Sequence, residues 1–313
     1  MIKQTLYFGN PAYLSLKNKQ ILIRLPEVEK NKELPESFKE TSIVSRPVED
    51  IGIIILDNKQ ITITQGLMTA LLENNVAFIT CNDQHHPVGM MLNLDGNTLQ
   101  TQRFRSQIEA SEPLKKQLWQ QTVSAKIANQ ASLLRNLGKD VKTLDFMANN
   151  VKSGDTDNYE ARAAALYWGE LFADCVQNFR REREGCPPNH LLNYGYAILR
   201  AAVARALVGS GLLPTLGIFH RNQYNAYCLA DDIMEPYRPF VDRAVYEIVR
   251  NNNFTDELTL ENKQQLLSVL QQDAYFDKDR SPLMVGLTKT TASLSACFEG
   301  KRRKINYPRL YET

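Results

Sequence analysis

The stretch LNLDGN, residues 92–97, divides the sequence into two parts with different hydrophobic periodicity. Its Asp-Gly-Asn sequence is typical of a turn. Before this stretch the apolar residues form short strand-like runs, and after it they recur every three or four positions. The length of 313 residues also suits two domains. We therefore predict an N-terminal domain over residues 1–94 and a C-terminal domain over residues 95–313.

The N-terminal part has the pattern of a small β-rich, sandwich-like domain. The segment YLSLKNKQILIRL, residues 13–25, alternates around a Lys-Asn-Lys turn, which predicts a hairpin. Ile51–Leu56 is a nearly continuous apolar run rich in isoleucine, as expected of a strand that is buried on both faces. The segment GLMTALLENN, residues 66–75, predicts one short helix.

The C-terminal part has the pattern of a larger, all-helical domain. One stripe at helical spacing consists of Leu114, Leu118, Val123, Ile127, Ala131 and Leu134. Similar patterns cover residues 158–179, 191–208, 229–250 and 259–271. The predicted fold class is therefore α+β, with a β-rich domain followed by an all-α domain.

Composition excludes some classes of protein but does not select one. The chain has 37 Lys and Arg against 35 Asp and Glu, so its overall charge does not indicate a nucleic-acid binder. It has no run of eighteen apolar residues, and its start, MIKQTLYFGN, lacks the apolar region of a signal peptide. We expect a cytoplasmic protein with no membrane partner. The five cysteines show no CxxC spacing and are expected to be reduced.

Three acids are crowded in the segment GIFHRNQYNAYCLADDIMEPYRPFVD, residues 217–242. Glu235 can share a helical face with Asp231 at i+4 or with Asp232 at i+3. Pro236 predicts a kink or a new first turn just after the glutamate. The polar residues after His220 allow the chain to turn and bring the acids back toward the imidazole. Such like charges must either face water or lie beside a cation.

A further acid, Glu160, lies in SGDTDNYEARAAALYWGELF, residues 153–172. The preceding residues Ser153, Asp155 and Asp157 are candidate caps, which places Glu160 in the first turn of a helix. Its apolar companions at helical spacing are Ala164, Trp168, Leu171 and Phe172. An inward-facing carboxylate here, together with His220 and the later acids, would suit a hard divalent cation such as Mg²⁺ or Mn²⁺.

Ordinary structural interpretations compete with this metal site, and spacing alone does not exclude them. Glu160 can simply compensate the helix dipole, and His220 can be a hydrogen-bonded loop histidine. Asp231 and Asp232 can form a solvated pair of which only one points inward. Arg238 is most simply an i,i+4 partner of Asp242, and His85 with His86 in a loop is most simply surface decoration. On these residues alone, a metal site is the minority interpretation.

Two basic runs, RRER at residues 180–183 and KRRK at residues 301–304, offer candidate contacts to phosphate. Such runs usually form solvated faces, but Arg and Lys also supply the salt-sensitive part of DNA affinity. The second run, near the C-terminus, is the better candidate. No GxGxxG or GxxxxGK[ST] motif offers a nucleotide cradle. The candidate DNA-binding residues are Arg180, Arg181, Lys301, Arg302, Arg303 and Lys304.

Several of these segments together resemble a known family. The segments are YEARAAALYW at 159–168, PPNHLLNYGYAILRAAVARAL at 187–207, FH at 219–220 and DDIMEPYRPFVD at 231–242. They resemble the CRISPR-associated integrases known as CRISPR-associated protein one, over essentially the whole chain. The MEPYRP form resembles members encoded beside a type II effector nuclease.

The resemblance implies a site and a division of roles. It implies a catalytic, metal-binding triad of Glu160, His220 and Glu235, where many members have aspartate at the third position. It also implies an accessory acid at Asp232. The N-terminal domain would serve dimerisation and partner contacts, and the helical domain would carry the active site.

The resemblance further implies a reaction and partners. A 3′-hydroxyl of a DNA fragment would attack a phosphodiester at the edge of a CRISPR repeat, with Mg²⁺ or Mn²⁺ as cofactor and no protein nucleophile. His220 would be a metal ligand or a proton shuttle. The implied partners are double-stranded DNA, a second copy of the chain, the small CRISPR-associated protein two and a type II effector nuclease. A branched-DNA nuclease and a non-catalytic DNA-binding scaffold remain alternatives.

Overall fold

The computed structural model describes residues 3–251, 256–277 and 279–310. The chain forms two compact units, Met1–Gly96 and Asn97–Thr313. The division therefore falls inside the turn sequence LNLDGN, close to the predicted boundary.

The N-terminal unit is built from two four-stranded sheets. The strands are β1 (Gln4–Phe8), β2 (Ala12–Lys17), β3 (Gln20–Arg24), β4 (Val44–Pro47), β5 (Ile51–Leu56), β6 (Ile61–Ile63), β7 (Ala77–Cys81) and β8 (Pro87–Met91). The helices are α1 (Pro26–Lys30), α2 (Glu36–Thr41) and α3 (Gln65–Glu73). One sheet has the order β1-β5-β7-β8 and the other has the order β4-β3-β2-β6.

The strand patterns of the sequence explain this unit. Strand β5 pairs in parallel with both β1 and β7, and its first five residues are buried, which confirms the predicted strand with two covered faces. Strands β2 and β3 form the predicted hairpin, with Asn18 and Lys19 at positive φ as a tight hairpin turn requires. Side chains from both sheets and from α3 share one apolar cluster. The unit is therefore the predicted β-rich, sandwich-like module.

The C-terminal unit is mainly helical. Its helices are α4 (Gln100–Ile108), α5 (Glu112–Asn136), α6 (Lys142–Asn150), α7 (Tyr159–Leu171), α8 (Asn189–Gly209), α9 (Cys228–Met234), α10 (Arg238–Arg250), α11 (Leu260–Ser268) and α12 (Leu283–Phe298). It also contains an antiparallel pair, β9 (Asp273–Phe276) and β10 (Asp279–Pro282). The prediction of an all-α domain is therefore wrong on this point. The two strands were missed because four residues are too few to show the alternation of apolar and polar residues that marks a strand. The α+β class is confirmed.

Helices α5 and α8 form the centre of this unit. The predicted stripe of α5 is buried from Leu118 to Leu134, and α8 is buried along most of its length. Helix α8 is long and apolar enough to cross a membrane by length and composition. However, 78% of its apolar window is buried inside the protein, as in the core helix of a globular domain.

Candidate active site

The turn that carries Glu235 interrupts a helix. Helix α9 ends at Met234, a 3₁₀ turn covers Glu235–Tyr237, and α10 starts at Arg238. The break just after the glutamate was predicted from Pro236 and is confirmed. The amide of Asn129 on α5 donates a hydrogen bond to the Pro236 carbonyl at 2.7 Å. This hydrogen bond fixes the turn to α5. The Glu235 side chain is buried.

Glu160 lies in the first turn of α7, as predicted. Of the three candidate caps, Asp155 acts: its carboxylate accepts hydrogen bonds from the Tyr159 and Glu160 amides at 2.9 and 3.0 Å. The N-cap position itself is Asn158, in the left-handed region with φ of 55°. This arrangement satisfies two of the free amides at the helix start and holds Glu160 in place.

The buried face of α7 matches the predicted stripe at Leu171 and Phe172, but lies one residue earlier at the start of the helix. The buried residues are Ala163, Tyr167 and Leu171, whereas Ala164 and Trp168 are half-buried. The first two lie three and seven positions after Glu160, so they share its face of the helix. The inward orientation of Glu160 is therefore supported, and the predicted stripe is one residue late only at its first two positions.

Lys126 on α5 lies between the two glutamates. Its Nζ atom is 2.8 Å from Glu160 Oε1 and 2.6 Å from Glu235 Oε2. Burial alone would lower the pKa of Lys126, but the charges of Glu235 and Glu160 outweigh it and raise the pKa. Burial likewise opposes the charge of Glu235, yet Arg238 and Lys126 hold its pKa below the ordinary value. The site therefore keeps Glu235 ionised beside two cations.

His220 is held by Asp232. The imidazole Nδ1 lies 2.6 Å from Asp232 Oδ1, and this hydrogen bond is the main cause that raises the pKa of His220. The negative charges of Glu235 and Glu160 raise this pKa further. Since Nδ1 is engaged by Asp232, the other ring nitrogen, Nε2, is left for chemistry.

The predicted triad is brought together in part. Glu160 and Glu235 share a direct contact to Lys126, whereas His220 contacts Asp232 instead. Among the residues that the structure describes, no group of three or more His, Cys, Asp or Glu is arranged to hold a metal ion. The ammonium of Lys126 is the positive charge that the two carboxylates share.

Comparison with known proteins identifies the family. The family model for CRISPR associated protein Cas1 matches residues 6–275. The chain belongs to the Cas1 family. A curated relative, the CRISPR-associated endonuclease Cas1 of Neisseria meningitidis serogroup C (strain 8013), is 38% identical over 306 residues, which cover 97% of this chain and 95% of the relative. The family supports a nuclease as the class of enzyme.

Two solved structures share the fold of this Cas1 chain. A casposase bound to an integration product has a TM-score of 0.77 at 18% identity, with coverage of 98% of this chain and 93% of the other. A Cas6-RT-Cas1–Cas2 complex has a TM-score of 0.73 at 19% identity, with coverage of 99% of this chain and 36% of the other. These likenesses confirm the architecture of a strand-rich region followed by a helical part.

Both aspartates of the Cas1 site are buried, so the interpretation as a solvated pair is wrong. Asp231 receives hydrogen bonds from Arg200 Nε at 2.6 Å and from Asn225 Nδ2 at 2.7 Å. Asp232 is bound by His220 and by backbone amides. Each carboxylate has partners that offset the loss of water, which spacing alone does not reveal.

The predicted pair of Arg238 and Asp242 is also wrong. Arg238 instead contacts Glu235, with Nη2 2.9 Å from Oε1, because the 3₁₀ turn directs the start of α10 back toward the glutamate. Asp242 accepts hydrogen bonds from Tyr167 at 2.8 Å and Tyr196 at 2.5 Å. Burial raises the pKa of Asp242 to about 6 against these hydrogen bonds.

Lys126 is the site residue that the sequence analysis missed. It lies on α5 directly beside Ile127, inside the apolar stripe, and its side chain is only 12% exposed. A lysine that is buried beside an apolar stripe requires a partner of opposite charge. Its position in the sequence could therefore have indicated a nearby carboxylate.

The two basic runs differ in how free their side chains are. Arg181 is used internally, since its guanidinium donates to Asn189 Oδ1 at 2.9 Å and to Asn193 Oδ1 at 2.8 Å. Lys301 pairs with Glu299. The remaining candidates are exposed and form no ion pair within the described ranges: Arg180, Arg302, Arg303 and Lys304.

The remaining sequence features take no part in this site. His85 Nδ1 lies 2.8 Å from the buried Asp57 in the N-terminal unit, so it has a structural partner there. All five cysteines are free, as expected.

Proposed function

We propose that this Cas1 chain is a metal-dependent DNA integrase and endonuclease of CRISPR adaptation. It would insert spacer DNA into a CRISPR array by attack of a 3′-hydroxyl at the repeat boundary. The observation that carries this proposal is the convergence of Glu160 and Glu235 on one cation. The name of the Neisseria relative, an endonuclease, and the casposase bound to an integration product support the reaction class.

The side chains present suit a hard divalent cation. Two carboxylates and an imidazole are ligands that Mg²⁺ and Mn²⁺ accept. Glu235 Oε2 is a buried oxygen with no hydrogen-bond partner of good geometry despite its ion pair. We propose that Glu160 and Glu235 hold the ion and that His220 ligates it or carries a proton. When bound, such an ion activates the attacking hydroxyl and stabilises the departing alkoxide.

The protein residues around the ion have separate tasks. Asp232 fixes His220 through Nδ1, so Nε2 can hold or move the proton of the attacking hydroxyl. Arg238 contacts Glu235 and holds it in its charged form. One P–O bond forms from the attacking 3′-oxygen while the P–O bond to the old 3′-oxygen breaks. That oxygen leaves as an alkoxide and takes up a proton, so no serine or cysteine nucleophile is needed.

The proposed partners follow from the need for two insertions, one on each strand. A homodimer would supply two sites, and Cas2 would join such dimers, as the name of the Cas6-RT-Cas1–Cas2 complex describes for that assembly. A type II effector nuclease is a further proposed partner. A branched-DNA nuclease would use the same site for hydrolysis, and a scaffold would use only its DNA-binding surface.

The test is the substitution Glu160→Gln, which keeps the size of the side chain and removes its charge. We expect strand transfer of a DNA fragment into a repeat-bearing plasmid, with Mg²⁺ or Mn²⁺, to fall by about a hundredfold or more, because a ligand of the metal is lost. The matched control is Glu170→Gln, an exposed residue on the same helix, which should retain wild-type activity.

The results separate the proposed functions. Strand transfer that is unchanged in Glu160→Gln would overturn the catalytic site and favour a scaffold. If the wild-type protein shows no strand transfer but cleaves branched DNA, and Glu160→Gln loses that cleavage, the branched-DNA nuclease is favoured.

A further inference from the structure

The contacts of Lys126 raise the question of what neutralises the site before a metal arrives. Its ammonium contacts Glu160 Oε1 and Glu235 Oε2, and it comes from α5, whereas the glutamates come from α7 and the 3₁₀ turn. The ammonium therefore ties three separate elements together at the point where the carboxylates converge. It occupies the position that any other shared cation would need.

The charges in this cluster already balance. Glu160 and Glu235 carry two negative charges, and Lys126 and Arg238 supply two positive charges in direct contact with them. Asp232 is occupied separately, by the imidazole of His220 and three backbone amides. A divalent cation that enters such a neutral cluster meets two like charges at short range, in surroundings that screen them poorly.

We propose that Lys126 is an internal competitor of the metal, which makes tight metal loading depend on bound DNA. This inference rests on the proposed function, because it concerns the same carboxylates. In the free protein the ammonium pairs with both glutamates and neutralises part of their charge. A DNA phosphate brings the negative charge that compensates the ammonium, and the carboxylates then become available to the metal. Metal and DNA therefore bind cooperatively, and each raises the affinity for the other by the same factor.

The test measures Mn²⁺ binding, by the electron paramagnetic resonance signal of free Mn²⁺, with and without a double-stranded repeat DNA. Lys126→Met removes the competing charge and should bind Mn²⁺ at least about tenfold more tightly than wild type in the absence of DNA. Addition of DNA should strongly tighten the binding of Mn²⁺ to the wild type. It should tighten the binding of Mn²⁺ to Lys126→Met only slightly. The matched control is Lys116→Met, an exposed lysine on the same helix, which should behave as wild type.

Two further variants distinguish charge from packing. Lys126→Arg keeps the charge and should keep the weak metal binding of wild type, whereas Lys126→Gln should resemble Lys126→Met. Thermal unfolding adds a second measurement: both neutral variants should unfold at a lower temperature than wild type without Mn²⁺, and Mn²⁺ should raise their midpoints by more. If the neutral variants fail to fold, Lys126→Arg decides. Weak Mn²⁺ binding that DNA strongly enhances supports the proposal, and tight Mn²⁺ binding without DNA overturns it.

Failure of this inference differs from failure of the proposed function. If Lys126→Met binds Mn²⁺ no more tightly than wild type while Glu160→Gln abolishes binding, the metal site stands and the competitor role is wrong. If no variant binds Mn²⁺ with or without DNA, both proposals are wrong.

Discussion

Asp232 shows, at the scale of one residue, how a buried acid can organise the backbone and the side chain around it. It is fully buried, and its two oxygens accept hydrogen bonds from the amides of Ile218, Phe219 and His220 and face the imidazole Nδ1. One carboxylate thus fixes both the loop and the orientation of the ring. Its role is to position His220.

The substitution Asp232→Asn tests this role. Asparagine has one acceptor oxygen, so some of these hydrogen bonds are lost and the free energy of unfolding should fall by about 1–3 kcal/mol. The pKa of His220 should fall toward its ordinary value, since the bond to Asp232 is the main cause of its rise. Strand transfer should fall by about 10–100-fold.

Nuclear magnetic resonance titration of the His220 ring checks the pKa, and chemical denaturation checks the stability. Asp174→Asn, at an exposed ion pair with Lys139, is the control and should change neither. An unchanged pKa of His220 in Asp232→Asn would contradict the positioning role.

At this scale the sequence supports the choice of acids but not their partners. Glu160, Glu235 and Asp232 were selected by spacing and resemblance, and the structure places each in a defined environment. The contacts of Lys126 were not predicted, because they join α5 to residues that are distant along the chain. Local spacing carries no information on such tertiary pairs. The pair of Arg238 with Glu235 is local, at i,i+3, and was missed because Arg238 was assigned to Asp242 instead.

Gly195, at the scale of elements, decides how closely α10 approaches α8. A Cβ atom at this position would lie 2.4 Å from Val241 Cγ1, well inside contact distance. Any larger residue must therefore displace the Val241 side chain or push α10 away from α8. Because α10 follows directly from the turn that carries Glu235, this packing also bears on the active site.

The substitution Gly195→Ala should lower the free energy of unfolding by about 1–3 kcal/mol, through overpacking between the helices. Strand transfer should also fall, since Glu235 moves with the start of α10. Gly169→Ala on α7 is the control: it has open space around it and should be neutral or stabilising by up to about 1 kcal/mol, through helix propensity. Chemical denaturation of both variants measures the difference. Equal stabilities for the two would rule out the close contact.

The elements could be predicted wherever a local signal was strong. The isoleucine run of β5, the turn between β2 and β3 and the proline after Glu235 each determine local structure. The pair β9 and β10 was missed because its strands are short, and its position depends on contacts such as the bond from the Tyr275 amide to the Arg309 carbonyl. Tertiary packing decides such segments.

At the scale of the whole molecule, charge is nearly balanced, so affinity for DNA must come from local groups. The formal net charge is +2. Arg302, Arg303 and Lys304 are exposed side by side, whereas Arg181 is bound to two asparagines. The second basic run therefore offers free cations, and part of the first is structural.

Replacing Arg302, Arg303 and Lys304 together by glutamine should weaken DNA binding and flatten its salt dependence. Each lost phosphate contact lowers the slope of log K against log salt by about 0.9. Fluorescence anisotropy at several salt concentrations measures that slope. Arg181→Gln should instead lower the free energy of unfolding and leave the slope unchanged. A wild-type slope in the triple variant would remove this run from the DNA path.

The side-chain amide of Asn129 links the turn that carries Glu235 to residues near the C-terminal end of the described chain. Besides the Pro236 carbonyl, it donates to the Pro308 carbonyl at 3.0 Å and accepts from the Leu310 amide at 3.0 Å. During synthesis, the segment that carries Glu235 is made before Pro308 and Leu310, the other two hydrogen-bond partners of Asn129. A nascent or truncated chain that lacks residues 308–310 leaves two of these three hydrogen bonds unmade, so this set of bonds is complete only after those residues have been synthesised.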